Sequence, residues 1–167
     1  MEKAFLQISS ARFFKLVLIV SLVTVFSFVM ISVAAADRVY HSEHVEFHPV
    51  GTHTLRSGFV ENIHTNGPQV YALEQYVLNG ASPNTVYYIK PFIYLENSGC
   101  TSGLIPFPVE NSISTNTAGN GTALVTITPD VAAGLGGLTI NVRWQLLVGA
   151  PDGPAAYETN CAAVTLD

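Results

Sequence analysis

The sequence predicts an all-β fold, an antiparallel sandwich of about eight strands that follows an N-terminal signal segment. After Asp37, segments rich in β-branched and aromatic residues recur about every ten residues, and clusters of Gly, Pro, Asn and Ser separate them. No long helical period appears along the chain. Short strands at this spacing are typical of sandwiches and small barrels. We choose the sandwich because Cys100 and Cys161 lie beside strands that one bridge can hold together.

The first 36 residues are predicted to be an export signal rather than part of the domain. Basic residues precede an uncharged apolar run at 16–33, and three small alanines end at Ala36. We therefore expect cleavage between Ala36 and Asp37. The alternative is an uncleaved membrane anchor, because a helix over the apolar run would span about 27 Å, close to the roughly 30 Å hydrocarbon core. Either outcome delivers the remaining chain across a membrane, as a secreted or periplasmic protein or as one anchored with its domain outside.

Residues 37–167 have the size of a single domain. They carry four basic and eleven acidic residues, a net charge of −7. This charge disfavours nucleic acid as a partner, because phosphate binding requires clustered Lys and Arg. We expect the partner to be an extracellular protein or a carbohydrate, with a membrane involved only if the signal segment stays uncleaved.

The eight predicted strands follow one another with turn signals between several of them. In the first strand, alternation places His44, Glu46 and His48 on one face and Val45 and Phe47 on the other. The third and fourth strands contain many aromatic residues, which are expected mainly in the core and in cross-strand pairs. Any of them that are exposed would form a surface to which a carbohydrate or a protein could bind. The strands are predicted at 38–48, 55–63, 69–78, 85–96, 104–109, 122–128, 138–148 and 155–166.

The later strands show the period of two most clearly. Val125 and Ile127 share one face of the strand at 122–128, and Val142 and Trp144 share one face of the strand at 138–148. Trp144 is therefore predicted to anchor the core. The connection at 129–137 has room for one helical turn.

Two cysteines remain after the signal segment, Cys100 and Cys161. In an oxidising compartment, an even pair without metal-ligand spacing is expected to form one structural disulfide. A redox-active pair is the alternative, but such pairs normally have two residues between the cysteines.

The stretch around residue 85 resembles the corner before the sixth strand of fibronectin type III modules. In that family a Pro-x-Thr-x-Tyr pattern follows a strand end, and the matching residues here are Pro83, Thr85 and Tyr87. The resemblance covers about fifteen residues. It implies an immunoglobulin-like sandwich in which Tyr87 makes a tyrosine corner, with its hydroxyl bonded to the chain a few residues upstream.

Histidines concentrate in segment 41–64, which raises the possibility of a copper or zinc site. On an extended strand, however, His44 and His48 lie roughly 13 Å apart at their backbones, too far to share one ion. A site would need Glu46 with His44 or His48, joined by His53 or His64 from a neighbouring strand. The alternative is that these are solvated side chains that protect an edge strand from pairing with other molecules.

Other catalytic signals are weak. Serine and glycine pairs lack the pattern of a nucleophile elbow, so no catalytic triad is assigned. A carboxylate pair of the kind that glycosidases use would have to come from Glu61, Glu74, Glu96 or Glu110, but sequence does not give their separation in space. Asn120 begins an Asn-Gly-Thr glycosylation sequon.

These observations predict an exported, disulfide-closed β-sandwich module with an interaction or structural role, no catalytic residues and no cofactor. The first alternative is an extracellular copper- or zinc-binding protein that uses segment 41–64. The second is a small extracellular hydrolase, which would require a deep pocket that holds a perturbed carboxylate or an activated serine.

Overall fold

The computed structural model describes residues 40–65, 72–95, 98–105, 107–128 and 136–166. Within these ranges the protein is all-β and antiparallel, with no helix, which confirms the predicted fold class. The predicted signal segment, the predicted cleavage point between Ala36 and Asp37, and most of the helical turn considered at 129–137 lie outside the described residues. The strands are β1 (Tyr40–Pro49), β2 (Ser57–Thr65), β3 (Ala72–Asn79), β4 (Val86–Tyr94), β5 (Leu104–Ile105), β6 (Asn111–Ser114), β7 (Gly121–Ile127), β8 (Leu138–Val148), β9 (Ala155–Thr159) and β10 (Ala162–Leu166).

The strands form one curled sheet in the order β5-β4-β8-β9-β1-β2-β3-β7, while β10 also pairs with β8 and β6 with β4. β1 joins the two halves of this sheet, because Tyr40 to Glu46 pair with β2 and Phe47 to Pro49 pair with β9. The sheet is therefore a half-barrel in which β1 links the two layers that a sandwich would keep apart. Each paired residue of β1 has one partner strand, β2 up to Glu46 and β9 from Phe47, so β1 has the single-sided pairing of the predicted edge strand along its described length.

Two predicted strands are divided in the structure. The segment expected at 104–109 contains only the two residues of β5. Pro108, which has no N–H to donate to a neighbouring strand, disfavours a longer one. A further strand that was not predicted, β6, begins at Asn111. The last predicted strand is interrupted at Asn160 and Cys161. This interruption lets β9 pair with the end of β8 and β10 with its beginning.

The core lies inside the curl, and Trp144 is fully buried there as predicted. It shares the inward face of β8 with Ile140, Val142 and Leu146, which are also buried, whereas Leu138 at the strand's start is 44% exposed. Tyr76 and Tyr87 are fully buried on β3 and β4. The alternation read from the sequence thus places the central strands correctly.

Tyr87 contacts a distant part of the chain. Its hydroxyl lies 3.3 Å from the hydroxyl of Tyr157, which in turn donates a hydrogen bond to the carbonyl of Thr54 at 3.0 Å. The corner upstream of Tyr87 is held by another residue, because the Thr115 hydroxyl donates to the Ser82 carbonyl at 2.7 Å. The tyrosine corner implied by the resemblance stays a prediction.

A disulfide joins Cys100 and Cys161, as predicted. Cys100 lies in the connection between β4 and β5, and Cys161 lies between β9 and β10. The two Cα atoms are 5.9 Å apart, across 61 positions of sequence. The bridge therefore fixes a loop to the interruption that separates β9 from β10.

Changing both Cys100 and Cys161 to serine is expected to lower the free energy of unfolding by about 4 kcal/mol, because the open chain regains the entropy of a long loop. Urea unfolding of residues 37–167 measures this loss, with Ser98→Ala in the same loop as the control that keeps the bridge. A loss below about 1 kcal/mol would contradict a stabilising role for the disulfide.

Candidate functional site

Polar side chains lie on the inward face of β2 and β3, where alternation otherwise places apolar residues. Asn62 and Glu74 are directly opposite each other across the two strands, and they are only 4% and 2% exposed. Val60 and Tyr76 form the next inward pair along the same strands and are fully buried. A carboxyl group thus lies in the core, a position where burial disfavours charge unless partners compensate.

Three donors converge on the carboxylate of Glu74. The amide Nδ2 of Asn62 donates to Oε1 at 2.8 Å, and the indole Nε1 of Trp144 donates to the same oxygen at 2.9 Å. The hydroxyl of Tyr76 donates to Oε2. The packed core holds these donors in place, so the carboxyl oxygens of Glu74 have hydrogen-bond partners although they are buried.

Glu110 lies just before β6, and its carboxyl group is close enough to that of Glu74 for the two to interact electrostatically. Both Glu110 oxygens are buried, and as a carboxylate Glu110 would have no donor to accept from. Burial, followed by the charge of Glu74, raises the pKa of Glu110 to about 9. Glu110 is therefore protonated at neutral pH. Burial, followed by the same charge, also raises the pKa of Tyr76 well above its ordinary value.

A cavity lies beside this carboxyl pair, with a volume of about 40 Å³ open to water-sized molecules. It lies at the end of the curl where β3 begins and β7 and β10 end. Its walls come from both halves of the sheet. The lining residues are Asn62, Ala72, Glu74, Pro91, Ile93, Phe107, Glu110, Ile127, Ile140, Val142, Trp144, Val164 and Leu166.

The described lining is apolar apart from the hydrogen-bonding groups around the carboxyl pair. It includes two carboxyl groups and, within the described part of the chain, no Lys, Arg or His. Asn62 adds its amide oxygen Oδ1, which is buried and has no hydrogen-bond partner within the described residues. The buried polar atoms of this wall that have no hydrogen-bond partner among the described residues are therefore all oxygens, from Asn62 and Glu110.

The structure does not bring together the four histidines and Glu46 that were considered as metal ligands. His44 pairs with Glu61 at 2.8 Å, and His64 pairs with Glu43 at 3.1 Å. Within the described ranges, no three His, Cys, Asp or Glu residues form a group that can hold a metal ion. The other candidates have other neighbours. The Nε2 of His48 lies 3.4 Å from the Nδ2 of Asn160, and the centre of the His53 ring lies 6.0 Å from that of Tyr157. Glu46 is exposed on β1.

His64 differs from the other histidines, because it points into the curl and is only 1% exposed. Its Nε2 faces Glu43, while its Nδ1 is buried without a partner among the described residues. The outward alternation predicted for His44, Glu46 and His48 agrees with their exposure.

Of the four glutamates considered for a carboxylate pair, the structure brings Glu74 and Glu110 together. Glu61 lies on the other side of β2 with His44, and Glu96 lies outside the described residues. The roles of Asn62, Tyr76 and Trp144 were not predicted. The sequence feature that could have indicated this site is a glutamate, Glu74, on the same face of β3 as Ala72 and Tyr76.

The aromatic set divides between the two sides of the sheet. Tyr76 and Tyr87 are core residues, whereas Tyr88, Phe92 and Tyr94 are half-buried on the outward side of β4. Lys90 lies between them, with its Nζ 5.4 Å from the centre of the Phe92 ring. These outward residues are the part of the set that an external partner can reach.

No family model matches the chain, and neither the curated proteins nor the solved structures contain a significant match. In the part of the chain that the structure describes, no helix has the length and hydrophobicity of a membrane span.

Proposed function

We propose that this protein is an exported, non-catalytic module that binds a small ligand in the cavity inside its curled sheet. The observation that carries the proposal is an apolar cavity that ends on the Glu74–Glu110 carboxyl pair. Replacing buried ionic groups with apolar ones is often neutral or stabilising, so stability alone gives little reason for a carboxyl pair in the core. Buried ionisable groups with strongly shifted pKa values cluster at functional sites.

The exported location is supported by the Cys100–Cys161 disulfide, since such bridges persist in oxidising compartments. The signal segment at 1–36 supports the same location. We place the domain outside the cell or in a periplasm.

The hydrolase alternative receives less support, although a pocket with a perturbed carboxyl group is what it requires. Glycosidases need one carboxylate that is free to act on the sugar or on a water, whereas the carboxylate of Glu74 already accepts from Asn62, Tyr76 and Trp144. The described lining also contains no serine, cysteine or histidine. Copper or zinc handling receives less support because the candidate histidines have separate partners.

Trp144 allows a direct test, because it is the only tryptophan in the chain and it lines the cavity. Ethanol and ethylammonium are small enough to serve as probes, added to residues 37–167 while Trp144 fluorescence is recorded. We expect at least one probe to produce a saturable change in emission. A linear change with both probes would show that the cavity takes up no ligand of this size.

A pair of alanine variants locates the binding. Ala72 is 5% exposed and lines the cavity, so Ala72→Leu should fill it and abolish the saturable change. Ala163 is exposed on β10, so Ala163→Leu makes the same change outside the cavity and should bind as the wild type does. Equal binding by both variants would place the ligand elsewhere and overturn the proposal.

A further inference from the structure

We infer that the cavity selects ligands that carry a primary ammonium group, an inference that rests on the proposed function. The ionisable groups on its described wall are Glu74 and Glu110, and the described lining contains no basic side chain. His64 lies next to this wall, opposite Ala72, with its Nε2 directed at Glu43. A cation that enters is attracted to the carboxylate of Glu74, whereas an anion is repelled by it. Charge alone therefore separates amines from carboxylates and phosphates.

The hydrogen-bonding capacity of the wall points to the same class. Glu74 already receives donors from Asn62, Trp144 and Tyr76. The buried atoms of this wall without a hydrogen-bond partner among the described residues are Asn62 Oδ1 and the two oxygens of Glu110. An ammonium group has three donors and no acceptor, so it can satisfy these atoms and leaves none of its own unmatched. An alcohol supplies one donor only.

The size of the cavity limits the ligand to a short amine. A volume of about 40 Å³ holds about three waters, which corresponds to an ammonium nitrogen with about two carbons. The remaining wall offers carbon atoms of Ile93, Ile127 and Val164, against which a short alkyl chain can pack.

Binding of the cation should displace a proton from Glu110. In the free protein Glu110 holds this proton at neutral pH, because its pKa is raised to about 9, and the proton removes one negative charge from the cavity wall. A bound ammonium takes over that role and keeps its own protons, since alkylammonium groups titrate near pH 10.4. The Glu110 proton then leaves to solvent, and both carboxylates face the ammonium. Affinity for the amine should consequently rise about tenfold per pH unit below pH 9.

The test compares ethylammonium, ethanol and acetate, which share a size and differ in charge and donors. Dissociation constants come from Trp144 fluorescence titrations of residues 37–167 at pH 6, 7 and 8. We expect ethylammonium to bind at least tenfold more tightly than ethanol at pH 8, with an affinity that increases with pH. Acetate should give no saturable change.

Two glutamine variants complete the design. Glu110→Gln removes the proton that binding displaces, so the pH dependence of ethylammonium binding should disappear. Glu46→Gln changes an exposed glutamate on β1 and should reproduce the wild type. The wild-type pH series tests the same point if Glu110→Gln does not fold.

The outcomes distinguish failure of the ammonium inference from failure of the proposed function. Saturable ethanol binding with equal or weaker ethylammonium binding would overturn ammonium selectivity and leave the cavity as a binding site. Absence of saturable binding by every probe would overturn both. An ethylammonium affinity that does not change with pH would exclude proton displacement from Glu110 and contradict the inference.

Discussion

Replacing Glu74 with leucine is expected to lower the free energy of unfolding by about 3 to 5 kcal/mol. The leucine has a similar volume but leaves the donors of Asn62, Trp144 and Tyr76 without their acceptor inside the core. Urea unfolding at pH 7, followed by circular dichroism, measures the loss. Trp144 fluorescence provides a second signal from within the same network.

One further variant separates the effect of the lost acceptor from that of the lost charge, and a second serves as a surface control. Glu74→Gln keeps a side-chain oxygen that can accept from Asn62 and Trp144, so it should cost about half as much as leucine. Glu46→Leu changes an exposed glutamate on β1 and should alter stability by about 0.5 kcal/mol or less. A Glu74→Leu protein as stable as the wild type would mean that packing compensates for the unmatched donors and that the network adds no stability.

Stability is expected to fall as pH rises from about 4.5 to about 9. Because the pKa of Glu110 is raised to about 9 in the folded protein from an ordinary value of 4.5, the folded state keeps a proton that the unfolded state releases. The resulting stabilisation is fully present below pH 4.5 and is lost as pH rises through 9. Its upper limit is about 6 kcal/mol, at about 1.4 kcal/mol per pKa unit.

Glu110→Gln isolates this contribution, because an amide does not titrate. The difference in unfolding free energy between the wild type and Glu110→Gln should change with pH over this range, in favour of the variant at high pH. Glu46→Gln should follow the wild-type curve throughout. Parallel curves for the wild type and Glu110→Gln from pH 5 to 9 would show that Glu110 titrates normally.

The strands were predictable because alternation is a local property of the chain. Trp144 and Val142 on β8 show this, since their burial follows from a period of two within a few residues. Prediction failed where a strand changes partners. Nothing local to β1 indicates that it pairs with β2 up to Glu46 and with β9 from Phe47. The interruption at Asn160 and Cys161 likewise depends on how β9 and β10 share one edge of β8.

The candidate site was predictable only in part. Glu74 and Glu110 were both named as possible members of a carboxylate pair, but they are separated by 36 positions along the chain, and only the curl of the sheet brings them together. The histidines are close together in sequence, and this closeness favoured a metal site that the structure does not assemble from its described residues. Their alternation along β1 instead places His44 and His48 on the surface with separate partners.

The partner change along β1 makes the domain one cooperative unit. Slippage of β1 by one residue against β2 would turn Phe47, which is 4% exposed, from the interior towards solvent. The same movement would break the pairs that His48 and Pro49 make with β9. Neither half of the sheet can change its register while the other keeps its own, so the two halves are held in a single arrangement by one strand.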